Sequence, residues 1–217
     1  MAIFDDELMR LKEKVLKMGA LVENAIRDSV RSLVERDDDI AVQVIENDHV
    51  VNALDIEIDE ESIRLIALRQ PKASDLRFIT TAMKITTDLE RIGDLAVSIA
   101  QKALDLNKEP ILKPYIDVPK MREIAQGMTR DALDAFVNKN KRLAVDVIMR
   151  DDEIDDLKSE VHRELIVYMV QDPSTVSRAM KISFVAQSLE RIADHATNIA
   201  EMVIYLVEGK IIRHGIT

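Results

Sequence analysis

The sequence predicts an all-α protein made of two tandem three-helix bundles related by internal duplication, and three observations carry this. Aromatic residues make up only 3% of the chain, and Gly and Pro number five each, which is too few rings and turns for a β-sandwich or barrel. All five prolines fall outside six stretches of helical length, as expected because proline inside a helix removes a hydrogen bond and clashes with the preceding turn. The halves then repeat one another: "LERIGDLAVSIA" (89–100) returns as "LERIADHATNIA" (189–200), identical at eight of twelve positions. A period near 100 residues is too long for a solenoid, so the unit duplicated is itself a three-helix bundle.

The six expected helices run over 6–35, 38–68, 74–106, 120–138, 141–170 and 175–207. The first and fourth correspond through Arg27-Asp28 and Arg130-Asp131, at an offset of 103. At the same offset the second, "IAVQVIENDHVVNALDIEIDEE" (40–61), lies over "LAVDVIMRDDEIDDLKSEVHRE" (143–164), which begins the fifth. After the loops at Pro71 and Pro173 the offset falls to 100, a change that belongs in a surface loop. In the third helix Leu89, Ile92, Ala96, Ile99 and Ala100 form an apolar stripe. Leu189, Ile192, Ala196 and Ile199 repeat it in the sixth, where Ser174 or Thr175 is placed to cap the start. The expected units are 1–106 and 120–217, joined by a linker over 107–119 that holds Pro110, Pro114 and Pro119.

Charge and composition restrict the function classes. A hydrophobic content of 47% supports a sizeable core, and a formal net charge of −10 argues against nucleic acid or anionic lipid as the main partner. Metal cations or a basic protein surface suit such a chain better. The absence of cysteine excludes disulfides and thiolate metal sites and fits a reducing, cytoplasmic compartment. The N-terminus lacks the basic and apolar regions of a signal peptide, and "LIVYMV" (165–170) is far too short to span a bilayer. No Gly-rich phosphate loop and no nucleophile–base arrangement is present.

The chemistry-bearing residues lie on the acidic faces of the repeated helices. Glu90 and Asp94, spaced i,i+4, point away from the apolar stripe, as do Glu190, Asp194 and Glu201 in the second copy, with Thr197 and Asn198 at the border. Carboxylates one turn apart repel, and a multivalent cation would convert that repulsion into coordination. On the preceding helices Asp48 and Asn52 share a face with Asp55 and Asp59, and their counterparts are Asp151, Asp155, Lys158 and His162. Each bundle could therefore offer four oxygen-bearing side chains to one groove, although an acidic face is equally consistent with simple solvation. Glu46-x-x-His49 occurs once, on a polar face, whereas a di-iron bundle enzyme needs the motif on two inward-facing helices. His195 borders the second acidic face. Arg91 and Arg191 flank the acidic pairs, placed for salt bridges to a neighbouring helix.

"RQPKASDLR" (69–77), "LERIGDLA" (89–96), "LERIADHATNIAE" (189–201) and "VIYLVEGKIIRH" (203–214) together resemble the PhoU family of phosphate-transport regulatory proteins. The resemblance runs from the first helix to His214 and implies two similar three-helix bundles with approximate internal two-fold symmetry. It also implies one metal-binding motif pair per bundle: Glu90 and Asp94 with Asp48 and Asn52, and Glu190 and Asp194 with Asp151 and Asp155. Iron is the first expectation for the ion, with zinc, manganese, magnesium or calcium as alternatives, singly or in clusters. Asn52 departs from the acidic pattern and leaves the first site one charge poorer. The function implied is non-enzymatic restraint of phosphate uptake and of the phosphate-starvation response. It would act through contact with the phosphate-uptake ABC transporter and a phosphate-sensing histidine kinase, as a homodimer on the cytoplasmic side of the membrane. A metal-independent helical adaptor and a metal-dependent bundle enzyme are the competing readings.

Overall fold

A computed structural model describes residues 2–209; the predicted end of the second unit, 210–217 with His214, lies outside the described residues. The described chain is helical almost throughout and contains no strand. The first unit comprises α1 (Ala2–Glu35), α2 (Asp38–Arg69) and α3 (Ala73–Asn107). The second comprises α4 (Asp117–Asn138), α5 (Lys141–Ile148), α6 (Asp151–Gln171) and α7 (Val176–Glu208), with a short 3-10 turn at Pro173–Thr175.

The duplication reaches down to single backbone conformations. Arg36 and Lys139, equivalent residues, end α1 and α4 in the left-handed region at φ 57° and 50°. The next residues, Asp37 and Asn140, donate their backbone N–H groups to Ser32 and Ala135, each five positions back, closing the helix end. The same two residues then cap the following helix with their side chains: Asp37 accepts from the N–H groups of Asp39 and Ile40, and Asn140 from that of Leu143. Such caps are worth about 1 kcal/mol each.

The predicted apolar stripes of the third and sixth helices face inward, with Leu89, Ile92, Ile99, Leu189, Ile192 and Ile199 fully buried. Burying side chains of this size contributes roughly 1.5–3 kcal/mol apiece. The units pack side by side through α3 against α7 and α1 against α4. Their cores merge into one cluster, in which Phe78 of α3 stacks on Phe136 of α4 at 5.1 Å between ring centroids. Gly19 lets α1 approach α4, since a Cβ there would stand 2.2 Å from Leu133 Cδ1. The linker over 108–116 is fastened down as well. Glu109 pairs with Lys181 at 2.7 Å, and the buried Lys113 pairs with Glu164.

Three expectations are corrected. The helix predicted over 141–170 is interrupted at Met149–Arg150, where the N–H groups of Arg150 and Glu153 bond three residues back, to Val147 and Arg150. The tightened turn turns Arg150 toward α4. Pro119 does not precede its helix but lies in the first turn of α4, where a missing N–H costs nothing. Finally, neither Ser174 nor Thr175 caps α7. Asp172 accepts from the Ser174 N–H at 2.9 Å, while the Thr175 hydroxyl donates to the carbonyls of Tyr168 and Asp172.

Candidate functional site

The acidic residues singled out from sequence fall in two equivalent grooves, between α2 and α3 and between α6 and α7. In the first, Asp48 and Asn52 share one turn of α2, and the Asn52 amide donates to Asp48 Oδ2 at 2.9 Å. Burial raises Asp48 above the usual carboxylate range; the hydrogen bond from Asn52 works against that rise, and the charge of Asp94 on α3 adds to it. Glu90 is raised in the same way, by burial first and then by Asp94, with smaller contributions from Asp55 and Asp48. Gly93 forms the floor between the two helices, 3.5 Å from Asp48 Oδ1 at the point a Cβ would occupy.

The second groove is more heavily charged. Asp194 is pushed up to about 6, by burial first and then by the carboxylates of Glu190, Asp151 and Asp155. Asp151 is raised by burial and then chiefly by Asp155. The groove also contains a cation belonging to the chain. Lys158 Nζ donates to Asp155 Oδ1 at 2.6 Å and to Glu190 Oε1 at 2.8 Å, joining α6 to α7. Sequence reasoning named Lys158 only as a counterpart of Asp55. Its position three residues after Asp155, on the same face, was the available signal.

These faces, turned away from the apolar stripes, are only partly open to solvent. The side chains of Glu90 and Glu190 are 25% and 19% exposed, tucked against the preceding helix, whereas that of Asp94 is 47% exposed. Arg91 bonds not to a neighbouring helix but to its own, at 3.4 Å from Glu90 and 3.2 Å from Asp94. His49 turns back on the carbonyl of Glu46 rather than into the bundle. His195 Nδ1 lies 2.8 Å from Asp88 Oδ1, and the Asn198 amide reaches the same oxygen at 3.4 Å, which links α7 to α3 across the two repeats. His162, about two turns beyond Asp155, has its Nε2 buried without a hydrogen-bond partner.

The donor set is all oxygen, which suits hard or borderline multivalent cations. Asp194 is raised by burial first and then by its carboxylate neighbours, and it is the second of these that a cation would relieve. Among the described residues, no three His, Asp or Glu side chains converge on a common point as a metal ion requires. Direct ligation in the second groove therefore needs Lys158 to withdraw from Asp155 and Glu190, and in the first it has the Asn52 amide to contend with.

Comparison with known proteins agrees with the duplicated architecture. The PhoU domain family matches twice, over residues 15–103 and 118–203. Phosphate-specific transport system accessory protein PhoU homologues are similar along nearly the whole chain. The one from Aquifex aeolicus is 45% identical over 96% of this chain and 94% of its own length. The one from Pseudomonas putida is 44% identical over 97% of this chain and 83% of its own. The crystal structure of PhoU from Pseudomonas aeruginosa superposes with a TM-score of 0.92 at 43% identity, covering 95% of this chain and all of that one. The PhoU structure from Streptococcus pneumoniae gives 0.90 at 29% identity, over 97% and 100% of the two chains. With both repeats matched by the family and the fold shared end to end, this chain belongs to the PhoU family.

Proposed function

We propose that this protein is an accessory regulator of a phosphate-specific transport system, restraining phosphate uptake and the starvation response. The observation that carries this is the end-to-end match to relatives described as accessory proteins of that system. The regulator works by protein contact rather than by catalysis, from the cytoplasmic face of the membrane. Its partners are the phosphate ABC transporter and the phosphate-sensing histidine kinase, and it acts as a homodimer. No helix among the described residues is long and apolar enough to cross a membrane, which suits attachment through partners. The test is deletion of the gene with a phosphate-starvation reporter and labelled phosphate uptake. The reporter should become active in phosphate-replete medium, or uptake excessive, and both should return to normal on complementation. An unchanged response and unchanged uptake would overturn the proposal.

In the same reading the acidic grooves take a multivalent cation, iron first among the candidates. Glu190, Asp194, Asp151 and Asp155 would hold it in the second repeat, and Glu90, Asp94 and Asp48 with the Asn52 amide oxygen in the first. The ion would supply positive charge that joins adjacent helices. Lys158 favours a second reading, a metal-independent adaptor, because its ammonium already offsets two of the four carboxylates. Elemental analysis of protein purified without chelator separates the two. Stoichiometric metal, lost in the Glu190→Ala/Asp194→Ala double variant, supports the first; metal-free protein that still complements the deletion supports the second.

A further inference from the structure

The two repeats differ in the groove between their first and second helices. In the first repeat a groove of about 410 Å3 opens there and reaches Gly93 and Val97 of α3; its lining combines apolar Val44 and Val51, the amides of Asn24, Gln43 and Asn47, and two charged pairs of opposite sign, Arg27 and Arg31 with Asp28 and Asp48. In the second repeat an arginine lies in the equivalent place. At the offset of 103, Arg150 stands where the first repeat has Asn47, and its Nη2 donates to Asp131 Oδ2 at 2.6 Å. Its Nη1 lies over Gly127, 3.6 Å from where a Cβ would be. Two further substitutions accompany it: Val97 becomes Thr197, which bonds to Asp151, and Gly93 becomes Ala193.

Asp131 has its equivalent in Asp28, which lines the open groove. Asp28 is held by Arg27 of its own helix through both oxygens, at 2.9 and 2.8 Å. The corresponding Arg130 is 3.6 Å from Asp131 Oδ1 and leaves the other oxygen to Arg150. The second repeat thus displays a complete arrangement: an aspartate at the groove mouth, one flanking arginine, and a second guanidinium crossing from the other helix. The first repeat has all of it except the crossing guanidinium.

We infer that the open groove of the first repeat, between α1 and α2, receives an arginine side chain from a partner protein, seated on Asp28 as Arg150 is seated on Asp131. The methylene stem of an arginine fits the apolar part of that lining, and its planar head matches a carboxylate and the amide oxygens of Asn24, Gln43 and Asn47. The inference rests on the reading that this protein acts through protein contacts.

The test is a titration of the full chain, followed by amide NMR, with acetyl-Leu-Arg-Leu-amide and with the same peptide carrying citrulline. Saturable shifts should appear at Asn24, Gln43 and Asn47, and citrulline should weaken binding by at least about tenfold, since it keeps the shape but removes the charge. Asp28→Asn should cause a similar loss. Asn47→Arg, which supplies the plug in cis, should abolish binding while its melting temperature shows that it folds. Equal binding of the citrulline peptide, unchanged binding in both Asn47→Arg and Asp28→Asn, or no saturation would overturn the inference. Free arginine amide binding as tightly as the peptide would likewise overturn it, by assigning the groove to a small cation. None of these outcomes bears on the gene-deletion result, so the two failures can be told apart.

Discussion

The ammonium of Lys158 lies 2.8 Å from Glu190 and 2.6 Å from Asp155, joining α6 to α7 among the carboxylates proposed to take a cation. A lysine holding two carboxylates is both a substitute for a metal and its competitor. Lys158→Met therefore has opposite consequences for the free and the loaded protein. Without metal it should lower stability by about 1 kcal/mol, because it removes an ion pair that is partly shielded from solvent. With Mn2+ or Fe2+ present it should raise the affinity of the second repeat by about tenfold or more, read by calorimetry. Failure of metal to bind even this variant would count for the metal-independent reading.

Asp194 makes the stability of the metal-free protein pH-dependent in a definite direction. Its folded carboxyl is pushed up to about 6, above an unfolded value of about 3.9. A carboxyl raised in this way favours the folded state while protonated, and the benefit disappears as pH rises through about 6. Asp194→Asn should thus raise the melting temperature at pH 7.5 and change it little at pH 4. Equal effects at the two pH values would show that the Asp194 carboxyl is not raised in the folded protein.

The link between repeats through Asp88 can be tested in the same assay. Asp88→Ala leaves His195 Nδ1 and the Asn198 amide without their shared acceptor. The expected loss is about 1 kcal/mol in urea unfolding, with helicity unchanged. Because the position equivalent to Asp88 is Ser188, Ser188→Ala should cost far less.

Gly19→Ala probes the packing of α1 against α4. The added methyl would approach within 2.2 Å of Leu133 Cδ1, and Leu133 is itself only 3% exposed. The leucine can yield only into packed neighbours, so a loss of about 1–3 kcal/mol is expected despite the better helix propensity of alanine. Adding Leu133→Ala should recover part of that loss; a loss that does not recover would place the clash elsewhere.

Much of this molecule was legible in the sequence, because most of its contacts follow from periodicity that is local. The apolar stripes of "LERIGDLAVSIA" and "LERIADHATNIA", the proline punctuation and the duplication determined the two-unit helical architecture, the order of its helices and which faces carry the core. They also determined that the acidic pairs would lie on neighbouring helices, since i,i+4 spacing and antiparallel packing leave little choice. What only the tertiary structure decided depends on side chains from distant segments meeting at particular points. Lys158 entering the second acidic groove, Arg150 crossing to Asp131 through the break between α5 and α6, and His195 pairing with Asp88 of the other repeat are all of this kind. The helix break at Met149–Arg150 is not marked by any proline or glycine, and no single-helix pattern predicts it. Duplication fixed the common scaffold, and the differences that distinguish one groove from its twin arise from long-range charge pairing that the one-dimensional pattern does not contain.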